Sequence, residues 1–401
     1  MKKIELLSPA GDLNRLKTAI RYGADAVYIG GKKFSLRSRA SNFDLEDIAQ
    51  GVIFAKQYGA RIHVTVNMLA HDDDLIGLKE YLIALESIGV SAIIVASPYI
   101  AMCAKQVAPK LEVHISTQHS STNSAAANYW KSQGMDRVVL ARECSLKQIV
   151  DTSQHSDIPL EVFIHGGMCI SYSGRCTLSN HMTNRDANRG GCAQSCRWNY
   201  HLYDGDKLIS KEDDPFSMSS KDLMAARFIP SLIDAGIASL KIEGRMKSTY
   251  YIAVLIKTYR NLIDEYYEKG TISEERFAQY EKEFAKAENR PTAIGFYNGN
   301  PKVDAQLYDL NKTKPHQEYI AYVLDYDQDS HMASIEVRNH FSVGEEVEVF
   351  GPKLNNEGFT IKKLMDEDGN CVEVANNPMK ILKIEIPFEV HQHDMIRKRR
   401  D

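Results

Sequence analysis

No stretch of this 401-residue chain is long and apolar enough to cross a bilayer, which argues against a helical membrane protein and a membrane partner. The apolar run after Met1-Lys2-Lys3 stops at Ser8-Pro9, too short for the core of a signal peptide. A cytoplasmic, reducing location is therefore expected. The seven cysteines are an odd number, and disulfides are not expected there. Charge of one sign is also scarce. A net charge of -4 gives no global attraction for a polyanion, so any RNA-binding surface has to be local. His-Glu-x-x-His and Gly-x-Ser-x-Gly are both missing, which removes the familiar metallopeptidase and serine-hydrolase signatures. There are no solenoid-type repeats and no low-complexity tract.

What is present is an alternation of short β-branched runs with amphipathic stretches. Strands are predicted at Ile4–Leu7, Ala26–Ile29, Arg61–Val66, Ala92–Val95, Leu111–Ser116, Arg137–Leu140, Leu160–Ile164 and Ser239–Ile242. Helical patterns lie at Leu13–Tyr22, Asp44–Tyr58, Asp74–Ile88, Asn123–Gln133, Asp222–Asp234, Tyr250–Lys269 and Glu274–Ala287. Eight strand–helix units predict an α/β fold, a (β/α)8 TIM-like barrel, with a doubly wound open sheet as the alternative. An insertion at 166–221 follows the seventh strand and should lie on the catalytic face. The barrel with its trailing helices is placed at 1–297, a linker at 298–316, a small C-terminal all-β barrel at 317–391 and a basic tail at 392–401, ending in Arg397-Lys398-Arg399-Arg400.

The insertion contains Cys169, Cys176, Cys192 and Cys196, spaced Cys-x6-Cys-x15-Cys-x3-Cys. Four thiols in one polar segment of a reduced chain point to a metal centre. Gly166, Gly167, Gly190 and Gly191 would let backbone amides approach, and Arg175, Arg185, Arg189 and Arg197 would offset thiolate charge. A 4Fe-4S cluster suits this setting. Zinc stays open as the alternative, although zinc knuckles favour tighter pairs than Cys-x6-Cys. Cys103, Cys144 and Cys371 fall in apolar or strand contexts and read as packing residues.

Residues following strand ends should face the same site. His165, Lys241, Glu243 and Arg245 are candidate catalytic groups. Asn67, Gln118, Arg142, Glu143, Arg37 and Arg39 are candidate substrate-binding groups, the last two beside Lys32 and Lys33. For Lys241, Glu243 and Arg245, simple ion pairs at the barrel mouth are an equal alternative. His63 and His114 lie within strands and read as core. Tyr250 and Tyr251 could stack a base, but aromatics opening a helix more often pack.

The segment Glu161-Val-Phe163-Ile-His165-Gly166-Gly167-Met168-Cys169-Ile-Ser-Tyr-Ser-Gly174-Arg175-Cys176-Thr-Leu178-Ser179 resembles the signature of the U32 "peptidase" family, with Gly167 where Ser or Ala is usual. Leu7-Ser8-Pro9-Ala10-Gly11, Ser239-Leu240-Lys241-Ile242-Glu243-Gly244-Arg245 and Asn289-Arg290 extend the likeness over essentially the whole chain. The resemblance implies an iron–sulfur protein that hydroxylates without molecular oxygen. It is most similar to the branch that converts the tRNA wobble uridine to 5-hydroxyuridine with prephenate as a co-substrate. Cys169, Cys176, Cys192 and Cys196 carry over as cluster ligands. A collagenase-like peptidase, or a non-catalytic cluster-bearing subunit with a homologous partner or as a homo-oligomer, are the alternatives. The C-terminal β-domain resembles barrels of translation factors and would hold the tRNA body, by analogy of fold alone.

Overall fold

Short runs of Val, Ile and Ala, buried on both faces, read as parallel strands because helices cover them from outside. The computed structural model describes residues 3–36, 42–213, 215–287, 290–307 and 317–399. Eight such runs form β1 (Glu5–Pro9), β2 (Ala26–Gly30), β3 (Arg61–Val66), β4 (Ala92–Val95), β5 (Glu112–Ile115), β6 (Arg137–Val139), β7 (Leu160–Gly166) and β8 (Ser239–Ile242). Neighbours pair in parallel from β1 to β7, and β8 pairs with both β1 and β7. The sheet therefore closes into a barrel.

The outer helices are α1 (Leu13–Arg21), α2 (Leu45–Gln57), α3 (Leu78–Ile88), α4 (Pro98–Val107), α5 (Ser124–Ser132) and α6 (Leu146–Gln154). Their starts are set by side-chain caps. Asp12, Asp44, Ser97, Asn123 and Ser145 each accept a hydrogen bond from a first-turn amide. The expected helix from Asp74 is split: Asp72–Leu75 is a 3-10 turn, and left-handed Gly77 restarts the chain as α3. Cys103 and Cys144 are buried as expected, whereas Cys371 is exposed.

One barrel layer is charged instead of aliphatic. Glu161 on β7 accepts from Lys241 on β8 at 2.8 Å and from Arg137 on β6 at 2.9 Å, and Arg137 also reaches Glu5 on β1. The fully buried imidazoles of His63 and His114 stack edge-on beside this network, 4.9 Å apart. They are core residues, as their strand positions predict.

After β7 the chain makes the insertion, with α7 at Leu178–Thr183. The segment Asp222–Asp234, expected as one helix, instead begins as the strand Asp222–Met224, antiparallel to β7 and parallel to Thr292–Ala293. Only its end is helical, as α8 (Ile229–Asp234). Pairing with a segment some seventy residues away overrides the local pattern. The helices α9 (Thr249–Lys269) and α10 (Glu274–Ala285) then pack on the barrel. Part of the expected linker is ordered structure: Gln306–Leu307 pairs antiparallel with Ser219–Ser220.

A seven-stranded antiparallel half-barrel follows. Its strands are β9 (Gln317–Asp327), β10 (Met332–Val337), β11 (Glu346–Phe350), β12 (Glu357–Thr360), β13 (Leu364–Met365), β14 (Ile381–Glu385) and β15 (Met395–Arg399), in the order β12-β11-β15-β9-β10-β14-β13. They enclose their own apolar core. The expected basic tail is a correction: Met395–Arg399 is a central strand. Arg397 is 0% exposed and pairs with Glu283 of α10 at 2.6 Å and, through Nε, with Glu348 of β11 at 2.8 Å. Lys398 pairs with Glu345 at 2.9 Å.

Candidate functional site

The C-terminal ends of the strands open into one cavity of ≈ 610 Å³, roofed by the insertion. That volume lies within the range of about 300–1,000 Å³ usual for small-molecule sites. Tyr28, Thr65, Ile94, Phe163 and Lys241 project from the strands. Asn67, Gln118, Arg142, Glu143, Glu243 and Arg245 come from the segments just beyond them. All four clustered cysteines line the same cavity.

Strand alternation sets the floor. Phe163 and Lys241 face inward as register partners on β7 and β8. The Lys241 ammonium lies 4.5 Å from the Tyr28 ring centre and is held from below by Glu161. Burial pushes the Glu161 carboxyl up, but Lys241 and Arg137 outweigh it and keep it below the usual range, hence ionised. Arg142 lies flat on Phe163 at 3.9 Å, donates to the Gly167 carbonyl and pairs with Glu243 at 3.0 Å. Arg245, nearly buried, donates to Ser35 at 3.1 Å and Thr65 at 3.2 Å. Asn67 accepts from the Leu36 amide at 3.3 Å.

The cysteine loop is clamped to the barrel rim. Glu143 accepts from the Ser173 amide at 2.8 Å and from its hydroxyl at 3.1 Å, and Ser120 donates to the Ser173 carbonyl. Glu143 is thus an anchor of the segment between Cys169 and Cys176. Gly174, at φ +73°, rests on the Gln118 backbone where any Cβ would collide. Further along, Ser179 accepts from the Ala193 amide at 3.0 Å, and the Asn188 side chain donates to the Cys176 carbonyl at 3.1 Å. The insertion also crosses to the β3 side. The Leu69 amide donates to the Asn188 carbonyl at 3.0 Å, and Arg189 pairs with Asp74 at 2.7 Å.

Cys169 and Cys192 are open to the cavity and Cys176 and Cys196 half-buried. Enclosure by the cavity walls pushes the Cys169 and Cys196 thiols up, and the other cysteines add to this by like-charge repulsion. Among the described residues no group of three or more His, Cys, Asp or Glu side chains is placed so as to hold a metal ion. A tetrahedral zinc would draw its sulfurs to about 3.8 Å apart. Of the four expected arginines, Arg185 and Arg197 line the cavity, Arg189 is spent on Asp74, and Arg175 is exposed outside the lining.

His165 is a correction. Simple alternation from Glu161 and Phe163 would aim it inward, but a bulge between β7 and β8 sets it opposite Ile242. It is 1% exposed, bonded through Nδ1 to the Tyr259 hydroxyl at 3.1 Å and packed against Phe284. Burial lowers its pKa to about 3. It does not line the cavity, so it makes no Cys–His dyad with Cys169. Tyr250 and Tyr251 are buried packing residues, Tyr250 stacked on Tyr319 at 5.5 Å. Lys32 pairs with Asp44 at 3.2 Å, and Arg37 and Arg39 lie outside the described residues. Reading by motif missed Glu161, Ser173 and Phe163. Glu161 carried a signal, a lone carboxylate in an otherwise apolar strand.

Fold and site together define a (β/α)8-barrel protein with a thiol-walled, arginine-bearing cavity at its catalytic end. The chain belongs to peptidase family U32: the family model matches residues 11–307, and the model of the family's C-terminal domain matches 315–397. It is 48% identical to tRNA hydroxylation protein P1 of Bacillus subtilis, over 99% of this chain and 95% of that one. It is 43% identical to a 23S rRNA 5-hydroxycytidine synthase of Escherichia coli, over 65% of this chain and 39% of that one. It is 30% identical to a collagenase of Porphyromonas gingivalis, over 96% of this chain and 94% of that one. No described helix is long and apolar enough to cross a membrane.

Proposed function

We propose that this protein is an RNA hydroxylase acting in the cytoplasm, and that its substrate is the tRNA wobble uridine, converted to 5-hydroxyuridine. The observation that carries the reading is the convergence of Cys169, Cys176, Cys192 and Cys196 on one cavity at the catalytic end of the barrel. The full-length likeness to a tRNA hydroxylation protein supports the choice of tRNA. Peptide hydrolysis has less support. No Cys–His pair forms in the cavity, and neither common hydrolase motif is present.

The donor set fits a 4Fe-4S cluster. Four thiols line one space, and cationic Arg185 and Arg197 stand in the same wall. Cys169, Cys176, Cys192 and Cys196 would hold it, and when bound it supplies one-electron redox chemistry. The remaining groups have binding and orienting roles. Arg142, Lys241 and Arg245 present three cations to the floor, which suits a carboxylate-bearing co-substrate such as prephenate. Glu243 holds Arg142 in place, and Phe163 with Tyr28 keeps the floor dry. Replacing C5–H of a uracil by C5–OH is a two-electron oxidation, so the co-substrate that gives up the oxygen, a donor other than O2, must itself be reduced by two electrons. A homologous partner subunit or a second copy is a further expectation of the reading.

The test is nucleoside mass spectrometry of tRNA from a strain lacking this gene and any paralogue. Loss of 5-hydroxyuridine and its derivatives is expected; an unchanged pool would sink the proposal. The cluster has its own readout. Cys192→Ser protein purified without oxygen should lose visible absorbance and iron, and retained colour would remove Cys192 from the ligand set.

A further inference from the structure

The insertion carries two large aromatic side chains that the fold does not use. Tyr172 is 67% exposed and Trp198 is 42% exposed, although both belong to the wall of the cysteine cavity. Met246, also exposed, completes this apolar rim from beyond β8. Leaving an indole and a phenol in water at a cavity mouth forgoes the stabilisation of hydrophobic burial. Neither aromatic has a ring partner among the described residues, in contrast to Trp130, Tyr200 and Tyr250, which stack within the fold. Two arginines of the insertion, Arg185 and Arg197, make no carboxylate pair among the described residues. Arg185 donates to the Cys192 carbonyl at 3.4 Å and Arg197 to the Gln194 side chain at 3.0 Å, both neutral acceptors.

We infer that Tyr172 and Trp198 form the receiving walls for a single nucleobase turned out of an RNA loop, with Arg185 and Arg197 taking the flanking phosphates. A base inside a helical stack offers no route to its ring atoms, so chemistry on the ring requires it to leave the stack. Aromatic faces compensate for the lost stacking, and unpaired arginines compensate the backbone charge. The occupant is a base and not an apolar peptide because exposed aromatic faces and cations share one wall. This inference rests on the RNA-hydroxylase reading and adds to it the residues that select an unpaired base.

Trp198 is its own reporter, because the chain has two tryptophans and the other, Trp130, is buried. In full-length protein with Trp130→Phe, titration with a short RNA hairpin bearing a uridine-rich loop should quench Trp198 emission. The same hairpin with abasic sites through the loop keeps its phosphates. It should bind about tenfold more weakly and leave the emission unchanged. Tyr172→Ala should raise the dissociation constant about tenfold, and Tyr172→Phe should restore it. If Trp130→Phe fails to fold, wild type minus Trp198→Phe gives the same signal. Equal binding of both hairpins without quenching, or an unaltered constant for Tyr172→Ala, overturns the inference. The two readings fail separately. Quenching with an unchanged 5-hydroxyuridine pool in the deletion strain removes the hydroxylation and keeps the base site. A lost pool without quenching keeps the hydroxylation and removes the base site.

Discussion

Glu161 shows how one residue can serve both stability and the site. At 0% exposure it faces two cations, and Lys241 reaches the cavity floor only because Glu161 holds its ammonium at 2.8 Å. Glu161→Gln leaves Lys241 buried without its carboxylate and Arg137 with Glu5 alone. Urea titration should show a loss of roughly 3–5 kcal/mol, the cost of removing one partner from a buried ion pair. His165 carries a different prediction. Its folded pKa of about 3 lies below the ordinary imidazole value of 6.5, so the unfolded chain binds the proton first. Stability from this residue is therefore complete above pH 6.5 and is lost as pH falls through that value toward 3. The slope is about 1.4 kcal/mol per pH unit. Urea midpoints at pH 7 and 5 should differ less in His165→Phe than in wild type; an equal difference would mean that His165 does not drive the acid sensitivity.

At the scale of elements, what could be read from the sequence was what depends on local pattern. The eight barrel strands were legible because a strand buried on both faces has to be a short apolar, β-branched run. The cysteine insertion was legible because its length breaks the spacing of the other units. What failed depended on distant partners. His165 was misplaced because a bulge is invisible in a two-residue alternation. Asp222–Met224 read as helix because its strand partners, β7 and Thr292–Ala293, lie far off in the chain. β15 read as a solvated tail because Arg397 is apolar-facing only by virtue of Glu283 and Glu348. Tyr172 and Trp198 passed unnoticed because exposure at a cavity rim has no sequence period.

The whole molecule is a barrel and a half-barrel joined by mixed contacts. Arg397 ties α10 to β11, Tyr250 stacks on Tyr319, and Lys257 of α9 donates to the Gly351 and Leu354 carbonyls. Phe350 and Met395 belong to the barrel's own core. Arg397→Ala should therefore do more than lower stability. It takes away one of the two cations shared by Glu283 and Glu348, leaving Lys286 alone to bridge them, and calorimetry should resolve one melting transition into two, the half-barrel first. A single transition with a merely lower midpoint would show that the other contacts suffice to couple the two parts. The charged layer across the bore has a final consequence. Glu5, Arg137, Glu161 and Lys241 link into a charged layer across the bore beneath the cavity. In the proposed hydroxylase, a small reactant seated on that layer would lie beneath the docked polymer, so it would arrive first and depart last.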